Sequence, residues 1–357
     1  MFHRTFNPGP SQVSDAVKAD LVKAGEQNIV GISHRSDACR RIVESAAHGL
    51  RRFFNVPQDY HIVFTSSATE AMELTVRNLV ERQSFHFTNG HFSELFAKIS
   101  EAYGKHATVD AAAWGELNDF EAVKTPKNSE IVTLTYNETS TGVTCTNRDV
   151  RTLRQQTEGI LVVDVTSAAG CVPLEIDQAD VWLFSVQKGM GLPSGLGIIF
   201  LSPRALERSA KLKHAGIFNF ERMAEQSAKH ETIQTPNVLG IYLLAEQLKR
   251  WNKTGAKAIY ESTGAKAKLI GEFIDHHKEL NYFVNSPDAR SKTAVCIQAE
   301  PDVIQKLHQA AKNADLVIGS GYGKLKDFTC RIATFPALTT DDVKHLIKVF
   351  EGTLNRA

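Results

Sequence analysis

The stretch ADVWLFSVQKGMGLPSGLGIIF at residues 179–200 sets a lysine at the end of an apolar run and then turns the chain straight back. Residues 181–186 (VWLFSV) and 195–201 (GLGIIFL) both read as β-strands, being rich in branched and aromatic residues. Only about eight residues, QKGMGLPS, join them, too few for a parallel crossover, so an antiparallel hairpin is predicted. Upstream lie four further apolar runs: HIVFTS at 61–66, SFHFTN at 84–89, IVTLTY at 131–136 and ILVVDV at 160–165. Helical patterns are interleaved with them. Ser14 and Ser36 open two amphipathic helices, and Ser67 and Glu70 have capping-box spacing before a third. Strands alternating with helices predict an α/β fold with a largely parallel sheet. A helical pattern from Val238 through Trp251 and a lysine-rich helix to about His277 lead into a different regime. There TAVCIQA, a helix after Pro301, FTCRIATF and a last helix after Thr340 read as a small α+β unit.

The chain of 357 residues is long enough for one large core plus a smaller one. With 42% hydrophobic and 23% charged residues the composition is that of a globular protein, and no internal repeat or low-complexity tract interrupts it. A formal net charge of +1 gives no global reason to expect nucleic acid or an anionic membrane as partner. No segment approaches the ~20 apolar residues of a membrane span. The five cysteines are scattered, with no CxxC pair and no zinc spacing, which suggests a reducing, cytoplasmic setting and no metal site.

Lys188 carries the chemistry. At the edge of an apolar strand an ammonium loses hydration, its pKa falls, and the amine can form an imine with an aldehyde. By itself such a lysine reads as a snorkelling surface residue, and its neighbours overturn that reading. Asp164, however, ends another strand at the carboxyl edge where open α/β sheets place ligands, and could pair with a protonated pyridine nitrogen. As a lone residue it would be a turn aspartate. At the same edge fall Asn137 and Thr139 in YNETSTGV and Phe92 in NGHF, a hydroxyl and a flat ring suited to a heteroaromatic ligand. TSSATEAME offers a helix N-terminus suited to a phosphate, although the capping box alone explains Ser67 and Glu70.

With FNPGPSQV at 6–13, SHRS at 33–36, NET at 137–139, VVDVTS at 162–167, SVQKGMG at 185–191, QTPN at 234–237 and CRIATFP at 330–336, the chain resembles class V aminotransferases of pyridoxal phosphate (PLP) fold type I, most of all the phosphoserine aminotransferases. The resemblance runs nearly end to end. It implies a large domain at 16–245 around a mostly parallel seven-stranded sheet, and a small α+β domain from 1–15 and 246–357. It implies that Lys188 forms the internal aldimine and that Asp164 pairs with the pyridine nitrogen. Phe92 would stack on the ring, and Thr139 would lie near the ring hydroxyl. Ala68, Thr69 and Gln187 would hold the phosphate, joined by Gln234 and Thr235 from the second subunit of a homodimer. Arg331 would clamp the substrate carboxylate, and His34 and Arg35 would reach its side-chain anion. The implied reaction moves an amino group between glutamate and 3-phosphohydroxypyruvate. The chain departs from the phosphoserine pattern in two places. The turn SSATEA lacks an arginine, and SGYGKLKDFTC offers only Lys324 and Lys326 where a His-Arg pair is common. Each missing bidentate contact would weaken phosphate recognition by about 1 to 3 kcal/mol. The alternative is a class V alanine or serine aminotransferase using glyoxylate or pyruvate. A cysteine desulfurase would need a mobile loop cysteine, and Cys330 reads as buried in a strand. A PLP-fold binding protein without activity would be expected to lack Lys188 or Asp164.

Overall fold

The structure is a computed structural model that describes residues 4–214 and 216–354. A seven-stranded sheet runs in the order His61–Thr65, Gly197–Leu201, Val181–Ser185, Ile160–Asp164, Ile131–Thr135, Gln83–Thr88, His106–Ala111. Gly197–Leu201 is antiparallel to both neighbours, as the short loop after Lys188 requires, and the other neighbouring pairs are parallel. Alternate residues of each strand feed opposite cores. Ile62, Phe64, Trp182 and Phe184 face a core that includes helices Asp37–Phe54 and Val238–Thr254. Val63, Val181 and Leu183 face a second core with helices Ala68–Leu79 and His91–Ala102. Burying each such side chain contributes about 1.5 to 3 kcal/mol, which makes this two-faced sheet the main source of cohesion. The edge strand His106–Ala111 was not among the runs predicted above. It is half exposed, with Val109 at 43%, so its sequence HATVDA has no apolar run to reveal it.

The helix starts follow the sequence. Ser14 and Ser36 accept hydrogen bonds from Val17 N and Cys39 N. Ser67 accepts from Glu70 N, but the Glu70 carboxylate reaches back to Ser66 N and not to the capping residue itself. Asn55, in the left-handed region at φ 52°, ends helix Asp37–Phe54 before Pro57.

A second sheet, ordered Arg4–Phe6, Leu316–Ser320, Thr329–Ala333, Ala294–Gln298, Asn281–Tyr282, has its own core of Phe6, Ile270, Phe273, Ile297, Leu307, Ile332, Phe335 and Phe350. Its first strand comes from the start of the chain and pairs in parallel with Leu316–Ser320. The division expected after residue 245 falls inside helix Val238–Thr254, whose buried Ile241, Leu248 and Trp251 all belong to the core of the large sheet. No helix among the described residues is long and apolar enough to cross a membrane.

Candidate active site

Four parallel strands of the large sheet end on one edge, and the chain beyond each end supplies a polar or aromatic group. Asp164 is the last residue of Ile160–Asp164, Asn137 to Thr139 follow Ile131–Thr135, Phe92 opens the helix after Gln83–Thr88, and Lys188 lies three residues beyond Val181–Ser185. Lys188 is buried, and its Nζ donates to Thr139 Oγ1 at 2.8 Å and sits 4.6 Å from the centre of the Phe92 ring. Burial pushes the Lys188 ammonium down to about 8; Asp164 and Glu138 oppose the shift and Arg331 adds to it. Asp164 is 4% exposed, and burial pushes its carboxyl up against hydrogen bonds from the Thr166 hydroxyl and amide and the charge of Lys188. A buried carboxylate under that strain is suited to a cationic ligand atom.

Thr139 joins the two sheets at this point. Its hydroxyl accepts from Lys188 and donates to Ser167 Oγ at 2.9 Å, while its carbonyl accepts from an Arg331 guanidinium nitrogen at 3.0 Å. Ser167 in turn donates to Asn137 O, and the Asn137 amide donates back to Ser167. Arg331 lies on the small-sheet strand Thr329–Ala333, with its Nε on Ser320 O at 2.8 Å. Tyr322 packs beside its guanidinium at 5.4 Å and against Phe92 and His91, forming an aromatic wall that links arginine and Phe92. The lysine loop is pinned from the N-terminal segment: Ser11 N donates to Gln187 O, and Ser11 Oγ donates to Lys188 O. Gly9, at φ 148°, has a backbone that favours glycine, and a Cβ there would crowd Lys188 Cε at 3.0 Å.

At the neighbouring strand end, Ala68 is buried with its amide on Ser185 Oγ, while Thr69 is exposed at the first helical turn. Gln187 is half-buried. Gly197 lets its strand pass under this turn, since a Cβ there would meet Thr65 Oγ1 at 2.3 Å and Ser67 backbone at 2.6 Å. The remaining predicted residues form a separate group. Arg35 pairs with Glu231 at 2.6 Å and donates to Thr232 O, Arg40 pairs with the same carboxylate, and the Gln234 amide donates to Phe64 O. Thr235 is exposed and His34 half-buried. Among the described residues no hydrogen bond of Arg35 or Gln234 reaches Lys188, Asp164 or Arg331. Gln234 Oε1 is buried and has no hydrogen-bond partner among the described residues.

Glu138 was not singled out from the sequence. It is fully buried between Asn137 and Thr139 and accepts from the amides of Phe92, Ser93 and Ser140. A glutamate in a polar turn gives no sign of burial until the helix N-terminus that surrounds it is known. Cys330 is fully buried, and burial pushes its thiol up, which leaves no mobile thiolate for sulfur transfer.

A largely parallel sheet with a buried lysine, a buried aspartate and an aromatic ring at one edge, faced by an arginine of the second sheet, is the arrangement of pyridoxal phosphate-dependent transferases. The family model for aminotransferase class V matches residues 5–344, and the chain belongs to that family. Among its relatives, a phosphoserine aminotransferase from Nocardioides sp. is 30% identical, covering 98% of this chain and 95% of the relative, and one from Rhodococcus opacus is 29% identical over the same shares. The crystal structure of a phosphoserine aminotransferase from Cytophaga hutchinsonii superposes with a TM-score of 0.95 at 31% identity, covering 98% of this chain and 99% of the other. An aspartate aminotransferase from Thermus thermophilus shares the fold, with a TM-score of 0.87 at 24% identity. The residues present fit the family's cofactor: Lys188 for its aldehyde, Asp164 for its ring nitrogen, Phe92 for its ring face and the turn at Ala68 and Thr69 for its phosphate.

Proposed function

We propose that this aminotransferase exchanges an amino group between glutamate and 3-phosphohydroxypyruvate, forming phosphoserine. The observation that carries the transaminase chemistry is the buried Lys188 amine held at Thr139 between Phe92, Asp164 and Arg331. The phosphorylated substrate rests on the full-length likeness to proteins named phosphoserine aminotransferase.

Pyridoxal phosphate, when bound, supplies an electron sink that acidifies the substrate Cα–H bond. Asp164 keeps the ring nitrogen cationic, because a buried carboxylate favours a positive partner. The Lys188 amine, with its ammonium pKa pushed down to about 8, is neutral in a useful fraction near neutral pH. It would therefore take the Cα proton of the bound amino acid and deliver it to the cofactor's aldehyde carbon in the same half of the exchange, running the transfer in reverse in the other half. Arg331 keeps its Nε on Ser320 O and offers its outer guanidinium edge to the α-carboxylate in a planar fork. The aromatic wall of His91, Phe92 and Tyr322 lines that side of the site.

A homodimer with shared sites is part of this reading. Arg35 ties itself to the loop at 231–233, so His34, Arg35, Gln234 and Thr235 form one block that a second subunit would present to the site. The orphaned Gln234 Oε1 supports this, because a buried amide oxygen with no partner in its own chain calls for one from elsewhere. Five free cysteines suit work in a reducing cytoplasm.

Single-turnover spectroscopy of the holo-protein tests the substrate assignment. Phosphoserine and glutamate should discharge the cofactor band quickly while alanine and serine barely change it. A faster reaction with alanine or serine than with phosphoserine would sink the phosphorylated substrate and favour an enzyme acting on glyoxylate or pyruvate.

A further inference from the structure

We propose that Glu138 is a positioning residue of this reaction: its carboxylate locks Phe92 and Thr139 into one rigid unit beside Lys188. The inference rests on the aminotransferase reading above. Glu138 is 0% exposed, and each of its oxygens faces donors from a different element. Oε2 accepts from the amides of Phe92 at 3.1 Å and Ser93 at 2.9 Å, the first turn of helix His91–Ala102, with Ser93 Oγ at 3.1 Å beside them. Oε1 accepts from Ser140 N at 3.1 Å and Ser140 Oγ at 2.6 Å, on the segment that carries Thr139. Ser140 Oγ also accepts from His91 N at 2.9 Å, which closes the ring of contacts.

The helix thus gains a negative charge at its positive end, and one side chain binds both Phe92 and Ser140, the residue next to Thr139. Gly90 makes the approach possible. A Cβ there would lie 2.4 Å from Glu138 Cγ and 2.6 Å from Ser140 Oγ, so the pocket is built around this carboxylate. An amide cannot replace it, because whichever oxygen became NH₂ would point donors at backbone N–H groups. Glu138 also adds charge: with Asp164 it opposes the loss of the Lys188 proton, while Arg331 acts the other way.

Two variants separate position from charge. Glu138→Gln removes the charge and breaks the lock, whereas Gly90→Ala displaces the carboxylate and leaves its charge in place. Both should weaken pyridoxal phosphate affinity, read by equilibrium fluorescence titration of the apo-protein, by roughly tenfold through loss of the ordered ring stack. Only Glu138→Gln should also lower the pH midpoint at which Lys188 attaches the cofactor. Variants that melt at lower temperature but keep wild-type affinity and midpoint would reduce Glu138 to a helix cap and overturn the proposal. If Glu138→Gln does not fold, wild-type affinity in Gly90→Ala overturns it alone. Failure of the wild-type protein to attach the cofactor would instead refute the aminotransferase reading, before any variant is made.

Discussion

Replacing Thr139 with valine should shift the charge of Lys188 without changing the shape of the site. Valine keeps the branched volume and supplies a methyl group where Oγ1 now accepts from Lys188 Nζ at 2.8 Å, so water has no space to take over. A hydrogen bond from a buried ammonium contributes about 1.5 to 3 kcal/mol to the charged form. At about 1.4 kcal/mol per pH unit, its loss lowers the amine by about one to two units from its value of about 8. The remaining carboxylates, Asp164 and Glu138, still act and keep the shift from growing larger. The assay is stopped-flow absorbance of apo-protein mixed with pyridoxal phosphate across about pH 4 to 10, conditions chosen to span about two units either side of the expected midpoints. Only the neutral amine attacks the aldehyde, so the rate should rise with pH through about 8 in the wild type and through about 6 to 7 in Thr139→Val. A midpoint that stays near the wild-type value, or moves upward, would refute the assignment of Thr139 as the acceptor that holds the Lys188 charge. Arg331 binds the Thr139 carbonyl and not its hydroxyl, so the KM for glutamate should change little.

Asp164→Asn should lower kcat by at least about a hundredfold, the scale of losing a charged partner worth roughly 3 kcal/mol, while borohydride still fixes the cofactor to Lys188. Normal turnover would contradict its role at the ring nitrogen. Lys266 concerns stability: it is fully buried, its Nζ donates to Phe335 O and Leu338 O at 2.8 Å each, and burial pushes it down to about 8 from 10.5. At this residue the unfolded chain therefore binds a proton between pH 8 and 10.5 that the folded chain does not, so Lys266 contributes about 3 kcal/mol of stability gained with rising pH, against the opposite contribution of the buried cysteine thiols, which burial pushes up. The difference in urea midpoint between the wild-type and Lys266→Met holo-proteins should shift in favour of the wild type as pH rises from 8 to 10.5; a difference that does not change with pH would refute the burial of a titrating amine there.

What the sequence disclosed follows from how locally each feature is encoded. Lys188 was legible because an apolar strand, glycines and a short return loop are all contiguous with it. Asp164 and Thr139 were legible because the carboxyl ends of parallel strands converge by rule. Lys266 was not, since a lysine in a lysine-rich helix reads as solvated until the turn at 335–338 closes over it. Glu138 was hidden for the same reason, its partners lying on a helix some fifty positions earlier in the chain. His91 and Tyr322 were equally hidden, as their stacking is a meeting of the two sheets. Arg35 illustrates the converse: the resemblance gave it a ligand, and the structure gives it a carboxylate and two carbonyls of its own chain.

The parallel pairing of Arg4–Phe6 with Leu316–Ser320 has a bearing on how the molecule is made. On the ribosome the first strand emerges on the order of tens of seconds before its partner, at about 5 to 20 residues per second. Over about the last third of that interval the large sheet has all its strands, and the segment that follows the first strand, with Gly9 and Ser11, has the lysine loop to dock against. Contacts of Ser11 with the catalytic loop would then hold Arg4–Phe6 near its place until Leu316–Ser320 arrives, which would keep a bare strand edge from pairing with a neighbouring nascent chain.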